Sequence, residues 1–424
     1  MNGSYTRRRF FSVLGQGMTA GAAALAFSPT RARAALGPND RIRLALIGCG
    51  GMGNRHLDSL VVRTDCEVVA TCDVNRPRAE AARQKVGGAC EAYQDFRRVL
   101  DRSDIDAVFC ATPDHWHALV TIMACQAWKD VYVEKPLATT IAEGRAMVNA
   151  ARRYGRVVQV GTQQRSQMLF RDAVGIVHSG KLGTITGAGS WIGPNGATGI
   201  ETPQPVPEGL DWDLWLGPAP AVPYSPQRYG AFRAFHDYAN GELTNWGVHL
   251  LDIVLWGIRE DWPLSVQALG GSYRQIPGSD DYENVEVLYG FRRCSVSWEQ
   301  RHSTTIGGKG YGIRFTGTAG RLYMDRGSFV VEPPALGIAE EIEKGDPWID
   351  VQSHHTNFLE CMRSRQRPNA DVERGHRATS LVLLGAIALD CGRTLKWDGE
   401  AERFVGDEAA NRYLSRPYRA PWHL

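Results

Sequence analysis

Ile42-Arg43-Leu44-Ala45-Leu46-Ile47-Gly48-Cys49-Gly50-Gly51-Met52-Gly53 is the stretch whose reading decides the fold. Six residues of buried-strand character run directly into a G-x-G-x-x-G loop, and a helical pattern follows from Met52. Gly48 permits the tight turn, Gly50 leaves room for a pyrophosphate against the backbone, and Gly53 lets helix and strand approach closely, while Gly51 and Met52 offer N–H groups at a helix N-terminus. Glu67 to Cys72 reads as a second strand. It ends on Asp73, twenty residues past Gly53, where an acid can accept hydrogen bonds from an adenosine ribose and repel a 2′-phosphate. NAD is thereby favoured over NADP, with Arg76 as a nearby cation that would suit the phosphate. Together the flanking strands and the spaced acid turn a weak loop motif into a dinucleotide-binding prediction.

Outward from this stretch, helix and strand alternate as a doubly wound parallel sheet requires. Helices are predicted over Arg76–Val86 and Tyr93–Leu100, and a strand over Ala107–Ala111. That strand ends at Thr112-Pro113-Asp114-His115-Trp116-His117. A strand at Val131–Val133 carries Glu134-Lys135-Pro136 at its end; a helix over Ile141–Arg153 and a strand over Val157–Val160 close a first domain, residues 35–162. Ligands of such sheets bind beyond the carboxyl ends of the strands, so Thr112, Pro113, His117, Glu134 and Lys135 are placed as cofactor-site candidates.

The remaining chain, 163–424, contains strand patterns at Ser265–Tyr273, Glu283–Tyr289, Cys294–Glu299, Gly312–Thr316 and Arg321–Met324. Helical patterns at Trp246–Trp256, Val351–Arg363 and Gly375–Leu389 flank them. The expected class is α/β: a Rossmann sheet followed by a second α/β domain.

At 424 residues, 43% hydrophobic and 9% aromatic, the chain has the composition of a globular two-domain protein. Its first 34 residues read as an export signal. Thr6-Arg7-Arg8-Arg9-Phe10-Phe11 gives a twin-arginine start, Val13–Phe27 a mildly apolar core, and Ala32-Arg33-Ala34 an A-x-A site. A periplasmic or otherwise exported protein is expected, with the twin-arginine machinery as a partner. Setting aside the five arginines of this segment leaves 43 basic against 46 acidic residues, so the mature chain carries about −3 and no basic patch for nucleic acid. Nine cysteines show no C-x-x-C pair and read as buried thiols. His354-His355 lacks a third ligand at suitable spacing, and adjacent residues on a helix diverge, so no metal site is expected.

The glycine loop, Thr112-Pro113-x-x-x-His117 and Glu134-Lys135-Pro136 resemble the Gfo/Idh/MocA family of oxidoreductases. The likeness continues through Asp211-Trp212-Asp213-Leu214-Trp215-Leu216-Gly217-Pro218 and Gly241-Glu242-Leu243-Thr244-Asn245-Trp246-Gly247-Val248-His249, and so spans nearly all of the mature chain. The resemblance implies NAD-dependent hydride transfer on a sugar. It also implies a largely antiparallel second sheet used in homo-oligomers (dimer or tetramer), and a commonly cis Lys-Pro bond.

Removing hydride from a secondary alcohol requires a base or relay for the hydroxyl proton. Lys135 is the first candidate and His249 the second. Asn245 stands where the family usually has Asp, and an amide supplies neither negative charge nor a proton acceptor. His115, Trp116, His236 and Trp246 are substrate-side candidates. Tyr238, His236 or His249 could supply an extra acid or base. An exported dehydrogenase has to keep its NAD, so the cofactor must be recycled within the site. Two chemistries satisfy this: paired sugar oxidation and reduction, or glycoside cleavage through transient oxidation at C3. The long insert Gly193–Arg228 and Asn245 keep the second open. A non-catalytic sugar-binding protein is a third possibility.

Overall fold

Strand β1, Ile42–Ile47, buries both faces, and its side chains divide by parity. Ile42, Leu44 and Leu46 enter one apolar cluster with Leu57, Val68, Phe109 and Tyr132. Ala45 and Ile47 enter the opposite one with Val108, Val131 and Val158. A strand apolar on both faces needs helices on both sides, which is the doubly wound arrangement. The computed structural model describes residues 41–193, 201–271, 280, 282–301, 304–306, 308–342 and 351–424. The predicted signal segment therefore lies outside the described residues, as does 194–200 of the insert.

The first sheet is parallel, in the order β3-β2-β1-β4-β5-β6, with β2 Cys66–Cys72, β3 Glu91–Tyr93, β4 Ala107–Cys110, β5 Asp130–Val133 and β6 Val158–Val160. Its helices are α1 Gly51–Leu60, α2 Arg76–Val86, α3 Phe96–Leu100, α4 His117–Gln126 and α5 Ile141–Arg153. The strand order reverses at β1/β4, and there the glycine loop and the Thr112 turn stand side by side.

The expected helix from Tyr93 is corrected. Tyr93 pairs with Cys72 as an edge strand, and the helix begins only after Asp95, whose side chain accepts the Arg97 N–H. In α5 a capping box joins Thr140 and Glu143.

Glycines in the loop are sterically required. Gly48 has φ +93°, and a Cβ on Gly53 would lie 1.9 Å from the Gly48 carbonyl oxygen. Gly53→Ala is therefore expected to force α1 off β1, lowering unfolding free energy by about 1–3 kcal/mol as overpacked sites do. Thermal unfolding together with quantified nucleotide retention checks this, and an unshifted midpoint would count against the close packing.

The second sheet has ten strands. In chain order they are β7 Ile185–Ile192, β8 Ser265–Gly271, β9 Asn284–Gly290, β10 Ser295–Gln300, β11 Tyr311–Gly317, β12 Arg321–Met324, β13 Ser328–Glu332, β14 Glu341–Ile342, β15 Leu395–Asp398 and β16 Arg403–Phe404. Their spatial order is β14-β13-β12-β11-β7-β10-β9-β8-β15-β16, antiparallel except for the β7/β10 pair. One face carries helices α6 Met168–His178, α10 Gly247–Ile258 and α12 Val372–Cys391, and buries Phe315, Trp298 and Tyr289 with Val254 and Leu384. On the strands, Leu269 and Leu288 are 70% and 53% exposed, so much of the opposite face is open. Short helices α7 Trp212–Leu216, α8 Pro226–Gly230 and α9 Gly241–Asn245 lie in the segment between β7 and α10, and α11 Gln352–Ser364 precedes α12.

The first sheet is not completed by residues 35–162 alone. Phe358, Leu359 and Met362 of α11 pack in the cluster with Leu44 and Phe109, and Val372 packs in the other. A parallel sheet of six strands needs more cover than its own crossover helices supply, and the returning C-terminal chain provides it.

Candidate active site

The carboxyl ends of β1, β4 and β5 open onto a cavity of about 570 Å³, whose far wall comes from α9, α10 and the β12–β13 turn. Its first end is the glycine loop. Gly48, Gly50, Gly51 and Met52 line it, and a Cβ on Gly50 or Gly51 would meet nothing within 4 Å, so the backbone faces open space. Gly53 is not on the wall; it packs beneath the loop.

Asp73 lines the cavity, with Oδ2 accepting the Cys49 N–H at 2.8 Å and Oδ1 accepting the Asn75 N–H at 2.8 Å. Burial pushes its carboxyl up, and these two N–H groups oppose that rise. Arg76 is exposed and off the wall because its helix turns it outward. Arg78 takes that place, its guanidinium 4.8 Å from the centre of the Tyr229 ring.

Lys135 and Asn245 form the middle of the site. Lys135 Nζ donates to the Asn245 side-chain Oδ1 at 2.5 Å and to its carbonyl at 3.1 Å, and Asn245 Nδ2 donates to Glu242 at 3.0 Å. The Lys135–Pro136 bond is cis. Burial, with repulsion from Arg233 added, brings the Lys135 amine down to about 8, although Glu134, Asp114 and Glu242 pull the other way. A neutral amine has two N–H bonds and one lone pair. With both N–H groups turned to Asn245, the lone pair is the part left to take a proton.

His249 is 6% exposed, lines the cavity, and is held well below the usual imidazole range by burial and by the charges of Lys135 and Arg326. Among the described residues its Nδ1 has no hydrogen-bond partner. Trp246 lines the wall beside it, the two rings 6.3 Å apart.

Glu134 is fixed from behind by a buried chain that sequence reading missed. His56 Nε2 meets Glu134 Oε1 at 2.9 Å, His355 Nε2 meets His56 Nδ1 at 2.9 Å, and Ser59 Oγ meets His355 Nδ1 at 3.0 Å. Burial drives the Glu134 carboxyl up, but the His56 hydrogen bond and the charges of His56 and Lys135 outweigh it, and it lies below the usual range. The carboxylate accepts from His56 Nε2. The other Glu134 oxygen accepts the Lys135 backbone N–H at 3.2 Å. Glu134 thus anchors the turn that presents the amine.

Several expected residues do not reach the cavity wall. His115 is buried, its Nε2 donating to the Trp215 carbonyl at 3.0 Å. His117 ties two turns together, Nδ1 to the Pro136 carbonyl at 2.7 Å and Nε2 to the Thr112 carbonyl at 3.0 Å. Tyr238, proposed as an acid or base, is wholly buried against Trp215 and Phe235. Its hydroxyl accepts from Arg228 at 3.2 Å and is pushed up to about 12, chiefly by burial. His236 is exposed, its backbone held by Asp280 and Arg416. Nearness to Asn245 in sequence suggested both, but the chain turns between them and α9.

Thr112, Pro113, Trp116, Glu134 and Lys135 do line the wall. Beyond them the structure adds Arg55, Gln163, Tyr229, Arg233 and Arg326, none of which carries a local motif. His354 and His355 diverge into separate networks, His354 meeting Ser166 at 2.7 Å and the Val160 carbonyl at 2.9 Å. Among the described residues no group of three or more His, Cys, Asp or Glu could hold a metal.

A parallel sheet with a glycine loop at its switch point and Lys135 beyond a neighbouring strand, joined to a second sheet domain that brings His249 to the same cavity, has the architecture of a dinucleotide-binding protein. The family described as "Oxidoreductase family, NAD-binding Rossmann fold" matches residues 42–162, and "Oxidoreductase family, C-terminal alpha/beta domain" matches residues 176–424. The chain belongs to the Gfo/Idh/MocA oxidoreductase family. It is 30% identical over 182 residues to inositol 2-dehydrogenase of Salmonella typhimurium, an alignment covering 41% of this chain and 54% of that protein. It thus spans about half the length of such relatives.

The fold is similar to that of aldose-aldose oxidoreductase from Caulobacter crescentus, with TM-score 0.66, 19% identity, and coverage of 84% of this chain and all of that one. Levoglucosan dehydrogenase in complex with NADH and levoglucosan gives TM-score 0.65 at 18% identity, covering 84% and 99%.

Proposed function

We propose that this chain is an exported enzyme that oxidises a secondary hydroxyl of a sugar or sugar derivative, with NAD held in the cavity and recycled there. The observation that carries the proposal is the convergence of Lys135, Asn245 and His249 on the cavity that also contains the glycine loop and Asp73. The residues fit the cofactor: Gly50 and Gly51 leave backbone open to a pyrophosphate, and Asp73 faces the cavity with a carboxylate for a ribose. That acid favours NAD over NADP. Bound nicotinamide supplies the hydride acceptor.

Lys135 in its neutral form takes the hydroxyl proton, and Asn245 aims the amine. His249, neutral and with Nδ1 free of protein partners among the described residues, hydrogen-bonds a substrate oxygen. The Trp246 face offers a surface for a sugar ring. Glycoside cleavage through transient oxidation needs a further acid or base. Of Tyr238, His236 and His249, only His249 lines the cavity, and it is already assigned to a substrate oxygen, which favours plain oxidoreduction. Lys135 and His249 lining one cavity weigh against a purely binding role. The open face of the second sheet supports assembly into a homo-oligomer.

The test uses full-length chain purified from periplasm after expression with its leader. Heat release should yield close to one adenine dinucleotide per subunit, and incubation with pairs of sugars without added nucleotide should give one oxidised and one reduced product. Recovery of the chain only from the cytoplasm would end the export proposal. Folded protein that neither retains nor binds an adenine dinucleotide would end the enzymatic one.

A further inference from the structure

Asp211-Trp212-Asp213-Leu214-Trp215-Leu216-Gly217-Pro218 has no task in the proton transfer proposed above, yet the fold brings it to the cofactor end of the cavity. Leu214 and Trp215 of α7, with Tyr229, Gly230 and Phe232 further on, line the cavity that also holds Gly48, Gly50, Asp73 and Arg78. Residues 209–233 thus wall the dinucleotide end from outside the first domain.

This segment is pinned to the turn that follows Asp73. Asn75 pairs with Leu210 in an antiparallel bridge, the Arg76 N–H donates to the Gly209 carbonyl at 2.9 Å, and the Asp211 N–H donates to the Val74 carbonyl at 2.9 Å. Gln94 Nε2 ties the two strands together, donating to the Val74 carbonyl at 2.8 Å and the Gly209 carbonyl at 3.0 Å. Trp212 stacks on Trp215 with ring centres 4.5 Å apart, and Tyr224, Phe235 and Tyr238 fill out a small apolar cluster, so the segment holds its shape as one body. From α8 it returns to the same turn: the Tyr229 hydroxyl accepts from Asn75 Nδ2 at 3.3 Å, and the Arg78 guanidinium faces its ring at 4.8 Å.

Residues 415–424 hold it from behind. Arg419 donates through Nε to the Gly217 carbonyl at 3.0 Å and through Nη2 to the Asp213 carbonyl at 2.8 Å, and pairs with the Asp213 carboxylate. Trp422 meets Trp116 of the first domain edge-on at 4.8 Å, and Tyr418 donates to Glu143 of α5 at 2.7 Å. One stretch of chain therefore grips both the segment and the first domain.

We propose that residues 209–233 form a cover over the adenosine half of the dinucleotide, closed by Tyr229 against Arg78 and clasped by Arg419 and Trp422, which retains the cofactor. The inference rests on the dinucleotide-binding role proposed above and gives an exported enzyme its means of keeping NAD. An aromatic face and a guanidinium suit an adenine ring, and every contact that must part before the nucleotide leaves slows its release. Tyr229 contacts the cofactor; Arg419 and Trp422, which stand off the cavity wall, are positioning residues.

The test is the release rate of NADH from the full-length protein, chased with excess NAD. Trp116 and Trp215 line the cavity, so loss of energy transfer from tryptophan to NADH reports departure. Tyr229→Ala should speed release about tenfold to a hundredfold, the range that base–aromatic stacking supplies, and Tyr229→Phe by no more than about fivefold. Arg419→Ala and Trp422→Ala should speed it about tenfold, and Arg419→Lys should recover part of the loss. In Tyr229→Ala, affinity for ADP-ribose should fall with that for NADH, while affinity for nicotinamide mononucleotide should hold.

Unchanged release in Tyr229→Ala or in Arg419→Ala overturns the proposal. So does a Tyr229→Ala variant that loses nicotinamide mononucleotide as much as ADP-ribose. Should Tyr229→Ala lack the native unfolding transition, Arg419→Ala and Trp422→Ala decide. Protein that binds NADH but sheds it at an unchanged rate in these variants keeps the oxidoreductase reading and loses this one; protein without affinity for any adenine dinucleotide loses both.

Discussion

Lys135→Ala is expected to lower kcat by about 10²- to 10⁴-fold, the range a positioned general base supplies, while the dinucleotide stays bound. The lysine lies at the end of β5, and the glycine loop and Asp73 are separate elements, so truncation should spare cofactor binding. Unmutated enzyme should show kcat/KM rising with pH along a limb of apparent pKa about 8, because the proposed base is the neutral amine and its fraction grows as pH passes that value. The groups that set the value are Arg233 on one side and Glu134, Asp114 and Glu242 on the other, with burial as the largest influence. His249 titrates far below this range and adds no limb there. Single-turnover kinetics with nucleotide quantified after heat release provide the check. An alanine variant that turns over normally would remove Lys135 from the reaction.

Asn245→Asp is expected to move that limb upward by about 1–3 pH units, as an opposite charge within hydrogen-bond reach stabilises the ammonium form. At pH below the limb the activity should fall about a hundredfold, recovering in alkaline buffer. The reason is the contact itself: Asn245 Oδ1 is 2.5 Å from Lys135 Nζ, so a carboxylate there would pair with the charged lysine. An amide accepts the same hydrogen bonds without that charge, and so keeps the amine a usable base near neutral pH. A pH profile that stays in place in the Asp variant would show that another group sets the limb. The asparagine, where the resemblance implies an aspartate, thus has a specific consequence: it orients the amine through a contact without negative charge.

Much of the first sheet was legible because parallel strands buried on both faces read as continuous apolar runs, and because Gly48, Gly50, Gly53 and Asp73 act through local backbone geometry. Strand β7 was not, although it sits in the middle of the second sheet. Its Ile-Thr-Gly-Ala-Gly-Ser-Trp-Ile sequence carries two glycines and no clean alternation, and its place is set by pairing with β10 and β11, far along the chain. The site divides the same way. Lys135, Asn245, Trp246 and His249 sit in recognisable motifs. His56 finds Glu134 across 78 residues, and Arg326 meets Trp246 only when the second sheet folds. Tyr238 and His236 show the converse error: adjacency in sequence was taken for adjacency in space.

Asp73 deserves a last consequence, because its two oxygens brace the backbone at Cys49 and Asn75. The acid proposed to set cofactor preference thus also braces the glycine loop. Exchanging it for a neutral or basic residue to redirect the enzyme toward a phosphorylated dinucleotide would slacken the loop along with its selectivity. If Asp73 sets coenzyme preference as proposed, preference and loop rigidity are inherited together, and engineering one without the other has to begin at Arg78 and Tyr229 on the rim.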